Sequence, residues 1–116
     1  MTTALQETLN LPVSCTPDGK MISLREFVKN KNKDSSILSL SSLTPRQRAK
    51  ITAERLRAEP EFQLAFLGAG FINKERAIAE VESLTPIGQS LIEAEQYVID
   101  TLIEELENGR LKGMIE

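Results

Sequence analysis

Apolar residues recur every three or four positions along most of the chain, which is the spacing of one face of an α-helix. The pattern is most sustained after Pro86, and Asn108 followed by Gly109 predicts where that helix ends. Shorter periodic stretches precede it and are separated by Gly, Pro and polar clusters. The predicted helices cover residues 45–58, 74–83 and 86–107, with shorter ones ending near Asn10, beginning after Ser23, and running from Pro60 to Leu67.

A different pattern lies near the N-terminus. Pro17-Asp18-Gly19 is a turn sequence, and the short extended stretches at 13–16 and 20–22 on either side of it predict a small β-hairpin. Residues 29–36 are polar and poor in helix formers, which predicts a linker. We expect a mainly α fold, a compact helical domain of five or six helices with a small N-terminal β-hairpin. The 116 residues should form a single domain, with the hairpin and first helices in 1–34, the polar linker in 29–36 and the helical core in 44–108.

The tetrapeptide Ser-Leu-Thr-Pro occurs twice, at residues 42–45 and 83–86. In each copy the Thr hydroxyl can cap a helix while Pro takes the first helical position, where its missing N–H costs nothing. The sequences around the two copies do not match. We therefore predict two independent helix starts and no structural repeat.

Charge is distributed unevenly along the chain. Residues 20–57 contain ten Lys and Arg against three acids, whereas residues 58–116 contain twelve acids against four bases. The net charge is −3, and the pI is near 5.1. A basic half faces either a polyanion or the acidic half of the same or a neighbouring chain.

The composition offers little for catalysis. There is no histidine, which removes the commonest general base and metal ligand, and the one cysteine is Cys15. Leu67-Gly68-Ala69-Gly70 resembles part of a phosphate-binding turn, but the glycine pattern is incomplete and a helix end is the simpler interpretation. We expect no enzyme activity, no catalytic residue, no cofactor and no metal site. The unpaired cysteine and the absence of a leader sequence or a long apolar run predict a cytoplasmic protein with no membrane contact.

The last predicted helix is the best candidate for a contact with a partner. At about 100° per residue, its apolar residues form two adjoining edges that together cover roughly half of the circumference. That is wide for a peripheral helix and predicts burial on two sides, by this chain alone or by this chain and a second copy. Glu95 falls inside the apolar arc and needs a cationic partner, for which the basic helix at 45–58 is the obvious source.

We therefore expect a non-catalytic protein–protein interaction or regulatory module that forms a homodimer through its C-terminal helix and presents an acidic face to a protein partner. The alternative is a DNA-associated transcriptional regulator or antitoxin-like protein that uses the basic segment 20–57. A helix-turn-helix can be drawn over residues 77–91, but its second helix is too acidic to approach phosphates easily. The residues expected to make these contacts are Leu91, Glu95, Val98, Leu102 and Leu106 on the last helix, and Arg46, Arg48, Arg55 and Arg57 on the basic helix.

Overall fold

The computed structural model describes residues 7–30 and 35–109. These residues form a mainly α fold, and each of two antiparallel β-hairpins in them is followed by a helix. Residues 7–10 are the described end of the first helix, α1. The strands are β1 (Pro12–Cys15), β2 (Met21–Ser23), β3 (Gln63–Phe66) and β4 (Gly70–Asn73). The remaining helices are α2 (Leu24–Asn30), α3 (Pro45–Ala58), α4 (Lys74–Glu82) and α5 (Pro86–Glu107), and a single 3-10 turn spans Leu40–Ser42.

The helix starts follow the capping chemistry in the sequence. Thr44 accepts a hydrogen bond from the backbone N–H of Gln47 and completes a capping box at the start of α3. Thr85 accepts from the N–H of Gly88 at the start of α5. The predicted bounds of both helices are confirmed, and α5 stops before Gly109, whose positive φ of 81° terminates the helix.

The expectation of a helix between Pro60 and Leu67 is wrong. Residues 63–73 form a second hairpin, β3–β4, in which Leu64 pairs with Ile72 and Ala65 pairs with Phe71. Exposed and half-buried residues alternate along β3, which is the period of a strand and not of a helix. The glycines near Ala69 form the turn, where Gly68 and Gly70 both have positive φ.

The order hairpin, capped helix, Ser-Leu-Thr-Pro and longer helix occurs twice, whereas the sequence analysis predicted no structural repeat. The first copy is β1–β2, α2 and α3, and the second is β3–β4, α4 and α5. Ser23 caps α2 through the N–H of Glu26, and Asn73 caps α4 through the N–H of Arg76. The halves differ in the connection after the capped helix. Residues 31–41 separate α2 from the first Ser-Leu-Thr-Pro, whereas α4 runs directly into the second.

The structure tests the predicted linker, residues 29–36, only at its two ends. Lys29 and Asn30 belong to α2, and Ser35 and Ser36 are exposed. Residues 31–34 lie outside the described residues, as do residues 1–6. The segment after the linker returns to the first hairpin, because the N–H of Leu38 donates to the carbonyl of Cys15.

Helix α5 connects the two main apolar clusters. Ile99, Ile103 and Leu106 pack with the first hairpin and α2, whereas Leu91 and Ile92 pack with α3, α4 and the second hairpin. The corner between α4 and α5 is tight. A Cβ on Gly88 would lie 2.0 Å from the carbonyl oxygen of Glu80, so only glycine fits there. At the same corner Leu84 takes a positive φ of 55°, a conformation that leucine rarely adopts.

Candidate interaction surface

A buried ion pair lies between the two apolar clusters. Arg55 of α3 is 3 % exposed, and its Nε donates to Oε1 of Glu95 at 2.9 Å. Its Nη1 donates to the carbonyl oxygen of Pro12 at 3.1 Å, so one guanidinium links β1, α3 and α5. The side chain of Glu95 is 23 % exposed. The expectation that the basic helix supplies the partner of Glu95 is confirmed.

Two further arginines of α3 also bind within the chain. Arg48 donates to the carbonyls of Leu40 and Leu43 and to the amide oxygen of Gln96. Arg57 donates to Glu54 at 2.7 Å and to Glu82 at 2.6 Å, but this contact is solvent-exposed and contributes about 0 to 1 kcal/mol.

Arg46 and Lys50 remain exposed on the same helix, and among the described residues neither side chain has a hydrogen-bond or ion-pair partner. Two of the five basic residues of α3, Arg55 and Arg57, thus pair with acids of the acidic half, Glu95 and Glu82.

The C-terminal residues expected to contact a partner separate into two groups. Leu91 and Leu106 are buried in the core, with 8 % and 5 % exposure, and cannot form a free surface. Leu102 is half-buried, and Val98 is 42 % exposed. Tyr97, which the sequence analysis did not single out, is 72 % exposed. The one detectable signal was an aromatic residue directly beside the apolar arc, in a chain with a single tyrosine and no tryptophan.

These exposed residues belong to one uncharged strip, which we call the α5 edge. Its members are exposed, lie within about 100° of one another on the helix and carry no charge. The acidic residues of α5 are also exposed and lie on the neighbouring side of the helix, where Glu104 and Glu93 are about 20° and about 40° from Tyr97 around the axis. The α5 edge consists of Ser90, Ala94, Tyr97, Val98 and Thr101, and the acidic side consists of Glu93, Asp100, Glu104 and Glu107.

The second hairpin carries the other exposed apolar residues. Leu67 at its turn is fully exposed, and Phe71 on β4 is 74 % exposed. The opposite side of this hairpin is packed on the core through Leu64, Phe66 and the buried Ile72. The hairpin is therefore covered on one side only.

The cysteine lies in a small cleft between the first hairpin turn and the start of α3. The cleft has a volume of about 260 Å³, and its lining includes Cys15, Arg46 and Lys50. Burial raises the pKa of the Cys15 thiol, while the Lys50 ammonium acts in the opposite direction. The net increase in pKa keeps the sulfur protonated at neutral pH, whereas a nucleophile or metal ligand needs the thiolate.

Within residues 7–30 and 35–109, no three of the Cys, Asp and Glu side chains come together in a way that could hold a metal ion. In the same part of the chain, no helix combines the length and the apolar character needed to cross a bilayer. No protein-family model, curated protein or solved structure matches the sequence. The surfaces described above are therefore the basis on which a function can be proposed.

Proposed function

We propose that this protein is a small non-catalytic protein–protein interaction module that self-associates through the α5 edge. The observation that carries the proposal is the exposure of Tyr97 and Val98 at the two margins of an uncharged strip of α5 whose other members are small. The centres of protein interfaces are depleted in charge and enriched in tyrosine. An edge of this composition can be covered without removing an ion from water.

A two-fold dimer uses the same patch on both copies. Two α5 edges can pack against each other because the flanking residues Ser90, Ala94 and Thr101 are small and allow the helices to approach closely. The acidic side of α5 borders one margin of such a contact and stays in water, where salt screens the repulsion between the copies. Glu93, Asp100, Glu104 and Glu107 then stay exposed, where their charge attracts a basic protein partner.

The unpaired Cys15 supports a cytoplasmic location for the module.

Sedimentation velocity with two matched variants tests the proposal. Val98→Lys introduces a cation on the α5 edge, and Asp100→Lys introduces the same side chain two residues away on the acidic side. At micromolar concentration we expect the wild type and Asp100→Lys to sediment as two 12.9 kDa chains, and Val98→Lys to sediment as one. A wild type that sediments as a single chain at 100 μM would refute self-association through this edge.

The same protein samples test the alternative of DNA binding by the basic segment. A protein that neutralises several phosphates retards duplex DNA at low salt and releases it steeply as salt rises. The internal contacts of Arg48, Arg55 and Arg57 leave Arg46 and Lys50 as the exposed, unpaired cations of α3 within the described residues. We therefore expect the protein not to retard duplex DNA at 100 mM salt.

A further inference from the structure

The two hairpins have the same strand register near their turns, but they differ in which residues pack over them. Ser14 pairs with Ile22 and Leu64 pairs with Ile72, so the next pair toward the turn is Cys15–Met21 in the first hairpin and Ala65–Phe71 in the second. The register therefore makes Ala65 the counterpart of Cys15.

The first hairpin shows what occupies this position. Cys15 is 3 % exposed and packs with Leu43 and Ile51, while the half-buried Leu38 and Met21 complete the cluster. The N–H of Leu38 donates to the Cys15 carbonyl at 3.1 Å, and the hydroxyl of Ser14 donates to the Leu38 carbonyl. A short aliphatic segment, residues 37–40, thus lies against the open edge of β1 and is held there by these two hydrogen bonds.

The second hairpin has no such cover. Within the described residues β3 and β4 pair only with each other, Ala65 is exposed, and Phe71 is 74 % exposed. The reason lies in the chain. Residues 37–40 supply the returning segment in the first half, whereas α4 passes directly into Ser-Leu-Thr-Pro in the second. An open strand edge beside exposed apolar side chains favours pairing with another strand.

The geometry points to the β3 edge as a docking site for an extended, aliphatic, non-acidic segment of a partner protein, which would donate a backbone N–H to the Ala65 carbonyl as Leu38 does to that of Cys15. The internal precedent defines the chemistry: a backbone N–H for the Ala65 carbonyl, and branched aliphatic side chains against Phe71. Glu59 and Glu61 are exposed just before β3 and disfavour an acidic ligand. This inference rests on the proposed role as an interaction module, but it concerns a different surface from the α5 edge.

A peptide titration followed by amide NMR tests the site. The probe is the capped peptide Ser-Ser-Ile-Leu-Ser-Leu-Ser-Ser, the sequence of residues 35–42, added to the full-length Val98→Lys protein so that self-association through α5 does not interfere. We expect saturable shifts at residues 63–73. The same peptide methylated at the backbone nitrogen of its first leucine lacks the donor for the Ala65 carbonyl and should bind about tenfold more weakly.

A matched pair of protein variants identifies the edge. Ala65→Pro removes the N–H and places a ring at the outer edge, where proline is tolerated in a two-stranded hairpin, while Ala65→Thr keeps the N–H. Binding should be lost in the first variant and retained in the second. The methylated peptide needs no protein variant, so the test stands even if Ala65→Pro unfolds.

Three results would overturn the inference. Shifts centred on Ser14 and Cys15 would mean that the peptide displaces the chain's own segment at the first hairpin. Absence of shifts at millimolar peptide would exclude an aliphatic strand as the ligand. Concentration-dependent broadening of residues 63–73 without peptide would assign the edge to a second copy of the chain. Monomeric wild-type protein that still binds the peptide would refute the proposed self-association alone and leave this site in place.

Discussion

Glu95→Gln tests the contact that joins the two halves of the fold. The substitution removes the charge that faces Arg55 across 2.9 Å and leaves a guanidinium that is 3 % exposed with a neutral partner. Breaking a fully buried pair costs about 3 to 5 kcal/mol, and an exposed pair contributes about 0 to 1. The Glu95 side chain is 23 % exposed, and a glutamine oxygen can still accept from Nε. We therefore expect the free energy of unfolding to fall by about 2 to 3 kcal/mol.

Urea unfolding followed by circular dichroism at 222 nm measures this loss, since the chain has no tryptophan to report on its core. With a urea dependence of about 1 to 3 kcal/mol/M for a domain of this size, the midpoint should fall by about 0.7 to 3 M. Glu93→Gln is the matched control, because Glu93 is exposed on the acidic side of the same helix. Its effect should stay within about 0.5 kcal/mol.

Equal and small losses for the two substitutions would contradict the geometry. They would mean that water already screens the Arg55–Glu95 contact and that the packing of α5 across both clusters does not depend on it. The basic helix would then have a further cation available for an external ligand, and DNA binding would become the leading hypothesis.

Two further predictions concern the corner between α4 and α5. Gly88→Ala should destabilise the protein by about 3 kcal/mol in thermal unfolding, because its Cβ would meet the backbone of Glu80, whereas Ser90→Ala on the exposed α5 edge should have little effect. The hydrogen bond from Thr85, and then that from Arg76, lower the pKa of Glu80, so its stabilising contribution is present at neutral pH and is lost as the pH falls through the lowered pKa. Thr85→Val should raise that pKa in a carboxyl NMR titration, and an unchanged value would refute the assignment.

Much of the helical structure could be predicted because its signals are local. Capping residues and prolines fix the starts of α3 and α5, and the three-to-four-residue spacing fixes their buried sides. The partner of Glu95 could also be predicted from one argument, namely that a carboxylate inside an apolar arc requires a cation.

The second hairpin was missed for an identifiable reason. Phe62, Leu64 and Phe66 alternate with Gln63 and Ala65, which is a strand pattern, but Pro60 and the glycines at 68 and 70 also suit a short capped helix. Short apolar runs do not distinguish the two by periodicity alone. The structure resolves the ambiguity, because Ile72 of the paired strand β4 packs in the same apolar cluster as Leu64 and Phe66.

The repeated order of elements could not be seen in the sequence either. Only Ser-Leu-Thr-Pro is shared as a sequence, and residues 31–41 shift the two copies out of a common spacing. At equivalent positions, different residues have the same role: Ser23 caps α2, and Asn73 caps α4. The division of the apolar arc of α5 into a buried part and the exposed α5 edge likewise depends on how α2, α3 and α4 pack against it.

The only tyrosine of the chain lies on the α5 edge, and its fluorescence reports on that surface in the absence of tryptophan. Acrylamide quenching of Tyr97, measured from submicromolar to 100 μM protein, therefore tests self-association through this edge most directly. We predict that the access of acrylamide falls as the wild-type concentration rises, and that it stays high throughout in Val98→Lys. Quenching of the wild type that does not change with concentration would contradict the account.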